Sequence, residues 1–187
     1  MPFPHFDKLL AAAREGDADA LEALYRVLHP AIFGYLGNQL PIDDAEDVAS
    51  DVFVSVARGL SKFDGNEDAF RSWVFTIAHH RIVDFRRAQS RERADAYPPE
   101  EMVKQSSAGD AEDDALESVG TGTALGTIAA LPPAQAEVVL LRVVADLSVA
   151  DVATIVGKNQ AAVRALQFRA MQRLARELSD QGEASAS

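Results

Sequence analysis

The chain has 187 residues, 48% of them hydrophobic, with no cysteine and a formal net charge of -11. That length and apolar content suit one ordinary domain or two small ones and exclude disorder of the whole chain. The missing cysteines exclude a disulfide framework and a thiolate metal site, and no apolar run reaches the length of a membrane span, so the expectation is a cytoplasmic protein that does not enter a membrane.

The apolar spacing predicts an all-α fold, with no strand or repeat evident, built as two small helical domains. A first helix over 6–14 ends at Gly16, and Asp17 or Asp19 caps a second that continues to about Leu40, where Pro41 stops it. Asp43 or Asp44 starts a third, whose Ala45, Val48, Ala49, Val52, Phe53, Val56 and Leu60 recur at helical spacing as a buried stripe. After the turn "KFDGNED" a fourth helix runs from about Ala69 to Arg91, with Phe70, Trp73, Val74, Ile77 and Ala78 facing inward. The segment 92–122 combines Pro, Gly, Ser and clustered carboxylates with few large apolar residues, which predicts a flexible acidic linker.

Beyond the linker, a second domain over 123–180 begins with a short helix at 125–131 and a helix opened by "PPAQAEVVLL", where proline fits because its N–H would have no partner. Ser148 with Asp151 forms a capping box in which Asp replaces the usual Glu. The helix so begun ends at Gly157, and another starts near Asn159 or Gln160 and reaches about Leu178, leaving a disordered tail at 181–187. Two short helices around a glycine turn are a helix-turn-helix, whose second helix enters the DNA major groove. Val149, Val152, Ala153 and Val156 line one face of the first helix, and Val163, Leu166, Ala170 and Leu174 one face of the second. The opposite face of the second displays Ala161, Arg164, Ala165, Phe168, Arg169 and Gln172.

Charge is distributed unevenly. Residues 1–91 hold 10 basic and 14 acidic side chains, 92–120 hold 2 and 9, and 121–187 hold 6 and 6. The excess acid is therefore concentrated in the linker, while no acid occurs from Lys158 to Arg176, and between Arg71 and Arg91 Asp84 stands alone. Two basic surfaces flank an acidic connector, the footprint of a nucleic-acid-binding protein rather than of an acidic one.

Three segments in this order resemble the extracytoplasmic-function (ECF) sigma factors, the small two-domain members of the bacterial sigma-70 family. "AEDVASDVFVSVARGLSKF" is similar to the family's core-polymerase-binding helix, "AFRSWVFTIAHHRIVDFRRAQ" to its -10 promoter segment, and "LPPAQAEVVLLRVVADLSVADVATIVG" to the approach to its -35-binding helix. The resemblance implies a first domain over 1–91 that binds core RNA polymerase and the -10 element, and a second that binds the -35 element and the polymerase flap. Asp47, Asp51 and Phe53 match polymerase-binding positions, with Ser50 where a Gln is common. Asn66, in the turn matching a loop that holds a flipped base, joins Arg71, His80, Arg81, Arg86 and Arg87 as the -10 set. Gln160, Ala161, Arg164, Ala165, Phe168 and Arg169 form the -35 set.

Departures from the family pattern lie at His79 and His80, and at Ala162 and Leu166 in the recognition helix, where a hydroxyl and a charge are more usual. The resemblance also implies an anti-sigma partner, and it implies neither a cofactor nor enzymatic activity. Two other readings define the alternatives. His79, His80 and Asp84 lie close in sequence, yet adjacent histidines diverge on a helix and no further ligands are near, so no metal site is expected. A helix-turn-helix regulator independent of polymerase would have no need of the first domain.

Overall fold

The computed structural model describes residues 3, 5–96 and 124–184, with side chains placed for 3, 5–92 and 126–177. Among the described residues every regular element is helical. Helix α1 (Phe6–Arg14) ends two residues before Gly16, which takes φ +86, a left-handed angle that glycine adopts without steric cost. Asp17 then caps α2 (Ala18–Gly37), its carboxylate accepting the Ala20 N–H at 2.8 Å.

Helix α3 (Ile42–Gly59) begins earlier than Asp43 or Asp44 would set it. Pro41 takes the cap position with φ -53, its carbonyl accepting the Ala45 N–H at 2.9 Å, which leaves Asp43 and Asp44 in the first turn, where the helix dipole favours them. A 3-10 turn (Leu60–Lys62) leads to α4 (Glu67–Ala96), capped by Asn66 through a 2.9 Å bond from the Ala69 N–H. Helices α3 and α4 pack so closely that a Cβ on Gly59 would lie 2.6 Å from Cζ2 of Trp73. Tyr35, Phe70, Phe75, Ile32, Leu36 and Val52 fill the interior between α2, α3 and α4.

The second group comprises α5 (Ala124–Ala129), α6 (Pro133–Val139), α7 (Val149–Ile155) and α8 (Gln160–Ala184). Helix α6 runs on into a π-helical turn, Leu140–Val144, which closes through the Ala145 N–H to the Leu140 carbonyl at 2.9 Å. Asp146 follows at φ 57 and turns the chain toward α7. Arg142 fixes this corner by donating to the Leu147 carbonyl and, at 3.3 Å, to Gln167 on α8.

Several boundaries differ from the sequence expectation. Helix α4 continues through Ala96, so the first residues of the segment assigned to the linker are helical; 97–123 lie outside the described residues. Helix α8 extends past Leu178 to Ala184, and 185–187 of the expected tail also lie outside them. The two groups pack on each other, α2 against the π turn and α4 against α7, and their buried apolar side chains form one continuous cluster.

Candidate nucleic-acid interface

The helix-turn-helix is assembled by local bonds. Ser148 caps α7, its hydroxyl accepting the Asp151 N–H at 3.1 Å and donating to the Asp151 carboxylate, a side-chain bond in place of the backbone half of the expected capping box. At the other end of α7 the Lys158 N–H reaches the Ala153 carbonyl at 3.0 Å around Gly157, whose φ is +66. Asn159 then caps α8, accepting the Ala162 N–H at 2.8 Å. Ala153, Val163 and Ala170 are buried where the two helices meet, and small side chains at two of these positions allow the close approach.

This packing turns Gln160, Ala161, Arg164, Ala165, Phe168 and Arg169 outward together, all exposed. Phe168 is 63% exposed, an aromatic ring in water on the face that would meet a duplex. Arg164 lies 3.3 Å from the Gln160 side chain, and Arg169 donates to the Ala165 carbonyl at 3.3 Å, so both guanidiniums rest along the helix with donors left over. Lys158, Arg173 and Arg176 are exposed as well and extend the cationic surface from the turn along α8. Arginine forks can bond two acceptors on guanine or hold phosphates, and Phe168 offers a flat apolar surface to a thymine methyl.

Helix α4 presents its expected contacts less uniformly. His80 is exposed, and so is Arg87, whose nearest acid is Asp84 at 3.9 Å. Arg71 is not presented to a ligand: its side chain is 8% exposed and faces Glu67 at 3.2 Å, Asp68, and Asp146 of the second group at 3.9 Å. Arg86 is exposed, yet it donates to the Gln39 carbonyl at 3.2 Å and to its side-chain oxygen at 2.7 Å, which ties the end of α2 to α4. Arg81 donates to Ser55 at 2.8 Å. Asn66 uses its side-chain oxygen to cap α4. Glu67 and Asp68 stand four and three residues before Arg71 and signal a local ion pair, but Asp146, Gln39 and Ser55, which engage Arg71, Arg86 and Arg81, are distant in the chain. Phe75 is wholly buried, 5.8 Å from the Tyr35 ring, so it belongs to the core.

On the α2–α3 face, Asp47, Ser50 and Asp51 are exposed, and Ser50 donates to the Glu46 carbonyl at 3.1 Å. Phe53 sits half-buried beside them at 4.5 Å from the Tyr25 ring and 6.1 Å from His29. Tyr25, His29, Phe33, Glu46, Ala49, Ser50 and Phe53 line a single open groove. The α2 members escaped the sequence reading, though three rings at i, i+4 and i+8 were the available signal, since that spacing places them on one face.

Residues 21–92 match Sigma-70 region 2, and residues 124–174 match Sigma-70, region 4. Among curated relatives, the ECF RNA polymerase sigma factor ShbA of Streptomyces griseus subsp. griseus is 35% identical over 182 residues, spanning 92% of this chain and 94% of its own. The ECF RNA polymerase sigma factor SigD of Mycobacterium tuberculosis is 32% identical over 184 residues, 95% of this chain and 85% of its own. The ECF RNA polymerase sigma factor BldN of Streptomyces coelicolor is 33% identical over 92% of this chain, which spans 66% of its length. Two solved structures share the fold. CnrH in complex with the cytosolic domain of CnrY has a TM-score of 0.56 at 24% identity, covering 92% of this chain and 96% of that one. RpoE in complex with the anti-sigma factor NepR from Bartonella quintana has a TM-score of 0.59 at 23% identity, covering 86% and 97%.

Proposed function

The chain belongs to the sigma-70 family, among its ECF RNA polymerase sigma factors, and from that premise we propose how its surfaces divide promoter-specific initiation. The first group, residues 1–91, docks on core RNA polymerase through the α2–α3 groove. Its Phe53, with the newly identified Tyr25 and His29, supplies apolar area, and Asp47, Ser50 and Asp51 form a polar rim. Exposed His80 and Arg87 on α4 meet the -10 element. The second group, residues 123–180, sets α8 into the -35 major groove with Arg164, Phe168 and Arg169 toward the bases.

The observation that carries this reading is the outward face of α8 over residues 160–176: cations and one aromatic ring, without an acid, on the second helix of a helix-turn-helix. Neither group needs high affinity alone, because a tether raises the effective concentration of the second contact once the first is made. Bond formation belongs to the polymerase, so the chain contributes specificity and not chemistry, and its place of action is the cytoplasm with the DNA. Among the described residues no helix is long and apolar enough to cross a membrane. An inhibitory partner of the anti-sigma class completes the proposal, since the RpoE relative of known structure is held by one.

Reconstitution with bacterial core polymerase on a library of genomic fragments tests the reading. Initiation at a restricted set of start sites, sharing two elements, is the expected result. A chain that fails to bind core, or that binds without directing it to any start site, overturns it. A regulator acting apart from polymerase is disfavoured by the Sigma-70 region 2 match over residues 21–92.

A further inference from the structure

Helix α1 and Phe3 ahead of it grip the turn that leads into α4 from both of its ends. The Arg14 guanidinium donates to the Phe63 carbonyl where the chain enters the turn, and the Phe3 N–H donates to Glu67 Oε1 at 3.3 Å where it leaves. Rings lie beneath: Phe63 is 5.3 Å from Phe70 and stacks on Trp73 at 5.0 Å, while Phe3 and Phe6 reach Phe70 at 5.8 and 5.4 Å. A Cβ on Gly65 would lie 2.9 Å from Phe63 Cζ and 3.0 Å from the Ala69 Cβ, so the turn rests directly on this stack.

Asp64, Gly65 and Asn66, between the two grips, are exposed, whereas Phe63 and Glu67 on either side are half-buried. Asn66 uses its side-chain oxygen to accept the Ala69 N–H at 2.9 Å, a bond that fixes the amide and does not involve its two N–H donors. Three residues around a central glycine, left unheld, would sample many backbone states, and ordering them on contact would weaken binding. Held at both ends, the turn meets a ligand already shaped.

We propose that the chain ahead of α2 is a brace for base reading, with Arg14 and Phe3 as positioning residues that hold Asn66 to receive one unstacked base of the -10 element. The proposal rests on the reading of the 64–66 turn as the loop that holds a flipped base. A flipped base gives up its stacking, so a pocket formed in advance recovers that loss most selectively. Arg14 acts through the Phe63 carbonyl and not on the base. It is exposed, so replacing it removes the grip without opening the core.

Selection from promoters with a randomised -10 region, using the full chain in holoenzyme, tests the brace. Asn66→Ala marks the -10 position that the turn reads. Arg14→Ala should relax preference at that same position threefold or more, with the -35 preference and core binding unchanged, and Arg14→Lys, which keeps a donor and the charge, should restore most of it. In the free chain, amide hydrogen exchange over residues 60–70 should quicken threefold or more in Arg14→Ala. A uniform loss across all -10 sequences in Arg14→Ala, or an unchanged preference there beside an altered one in Asn66→Ala, overturns the brace and leaves the turn as a reader. No altered position in Asn66→Ala overturns the reading of the turn and the proposal with it. Unchanged exchange in Arg14→Ala overturns the brace whatever the promoters show.

Discussion

The Tyr35 hydroxyl and the Glu137 carboxylate, 102 positions apart, meet at 3.0 Å and join α2 to α6. Burial pushes the Tyr35 phenol well above its ordinary value of 10.0, and the neighbouring charge of Glu137 and its hydrogen bond push it further. The folded chain therefore keeps a proton that the unfolded chain releases. This contribution is fully present below pH 10.0 and is lost as pH rises from there toward the folded value. Urea unfolding across that window should show stability falling with pH in the wild type and falling less steeply in Tyr35→Phe. Equal slopes would mean the hydroxyl is not held as described.

Arg86 and Arg87 are neighbours with opposite duties. Both are exposed, but Arg86 makes two bonds to Gln39, which is buried, whereas Arg87 has only Asp84 at 3.9 Å, on its own helix. Arg86→Ala should cost about 1 kcal/mol of stability, the usual net worth of hydrogen bonds that water can partly replace. Arg87→Ala should leave the melting temperature in place and weaken binding to promoter DNA, more so at low salt. Thermal melts paired with a salt titration of binding separate the two, and a matched loss of stability in both would refute the division.

Gly59 is dictated by Trp73. An added methyl at Gly59 would fall 2.6 Å from the indole, which is itself stacked on Phe63 at 5.0 Å and lies 5.8 Å from Phe70, so the ring has packed neighbours behind it. Gly59→Ala should destabilise by about 1 to 3 kcal/mol through overpacking. Trp73 is the single tryptophan, so its fluorescence reports the displacement without labelling. An unshifted emission spectrum with unchanged stability would contradict the contact.

Much of this architecture was legible in the chain because its determinants are local. Asp17, Ser148 and Asn159 act as caps where side chains of those types are expected to, and the glycines at 16 and 157 take the left-handed angles that end helices. The outward face of α8 follows from periodicity alone. The bonding of Arg86 was not legible, since it depends on Gln39, reached only through tertiary packing; for Arg71 the acids at 67 and 68 gave a local signal, and only its burial beside Asp146 needed the fold. The π turn at 140–144 was hidden for a related reason: Arg142 holds it through Leu147 and Gln167, and the run "VVLLRVV" is equally compatible with an unbroken α-helix.

The groove on α2 and α3 gives a sharper test of polymerase docking than the acidic residues beside it. Tyr25 is 46% exposed and rests against Phe53, so its ring is held in place while one side remains open to a partner. Aromatic anchors of this kind carry much of the energy of an interface, whereas rim charges mainly tune encounter. Tyr25→Ala should weaken core-polymerase binding about tenfold or more, and Asp47→Asn should do so less while reducing the salt dependence of association. Pull-down and surface-binding measurements with purified core would show this order, and the reverse order would move the anchor off the groove.

The recognition helix offers a test of base reading that distinguishes charge from shape. Arg164 and Arg169 are both exposed cations, so removing either lowers the electrostatic attraction that any duplex feels. Only a residue that touches base edges changes which duplex is preferred. Arg164→Ala should cost about 1 to 3 kcal/mol of binding at the selected promoter, the worth of a bidentate base contact, and should relax preference at one or two adjacent positions. Phe168→Ala removes no charge, so it should leave the salt dependence unchanged and reduce discrimination at a thymine. Selection of binding sites from a randomised -35 region, with each variant in holoenzyme, provides the measurement. A uniform loss across all sequences for both variants would place these side chains on the phosphate backbone instead of in the groove.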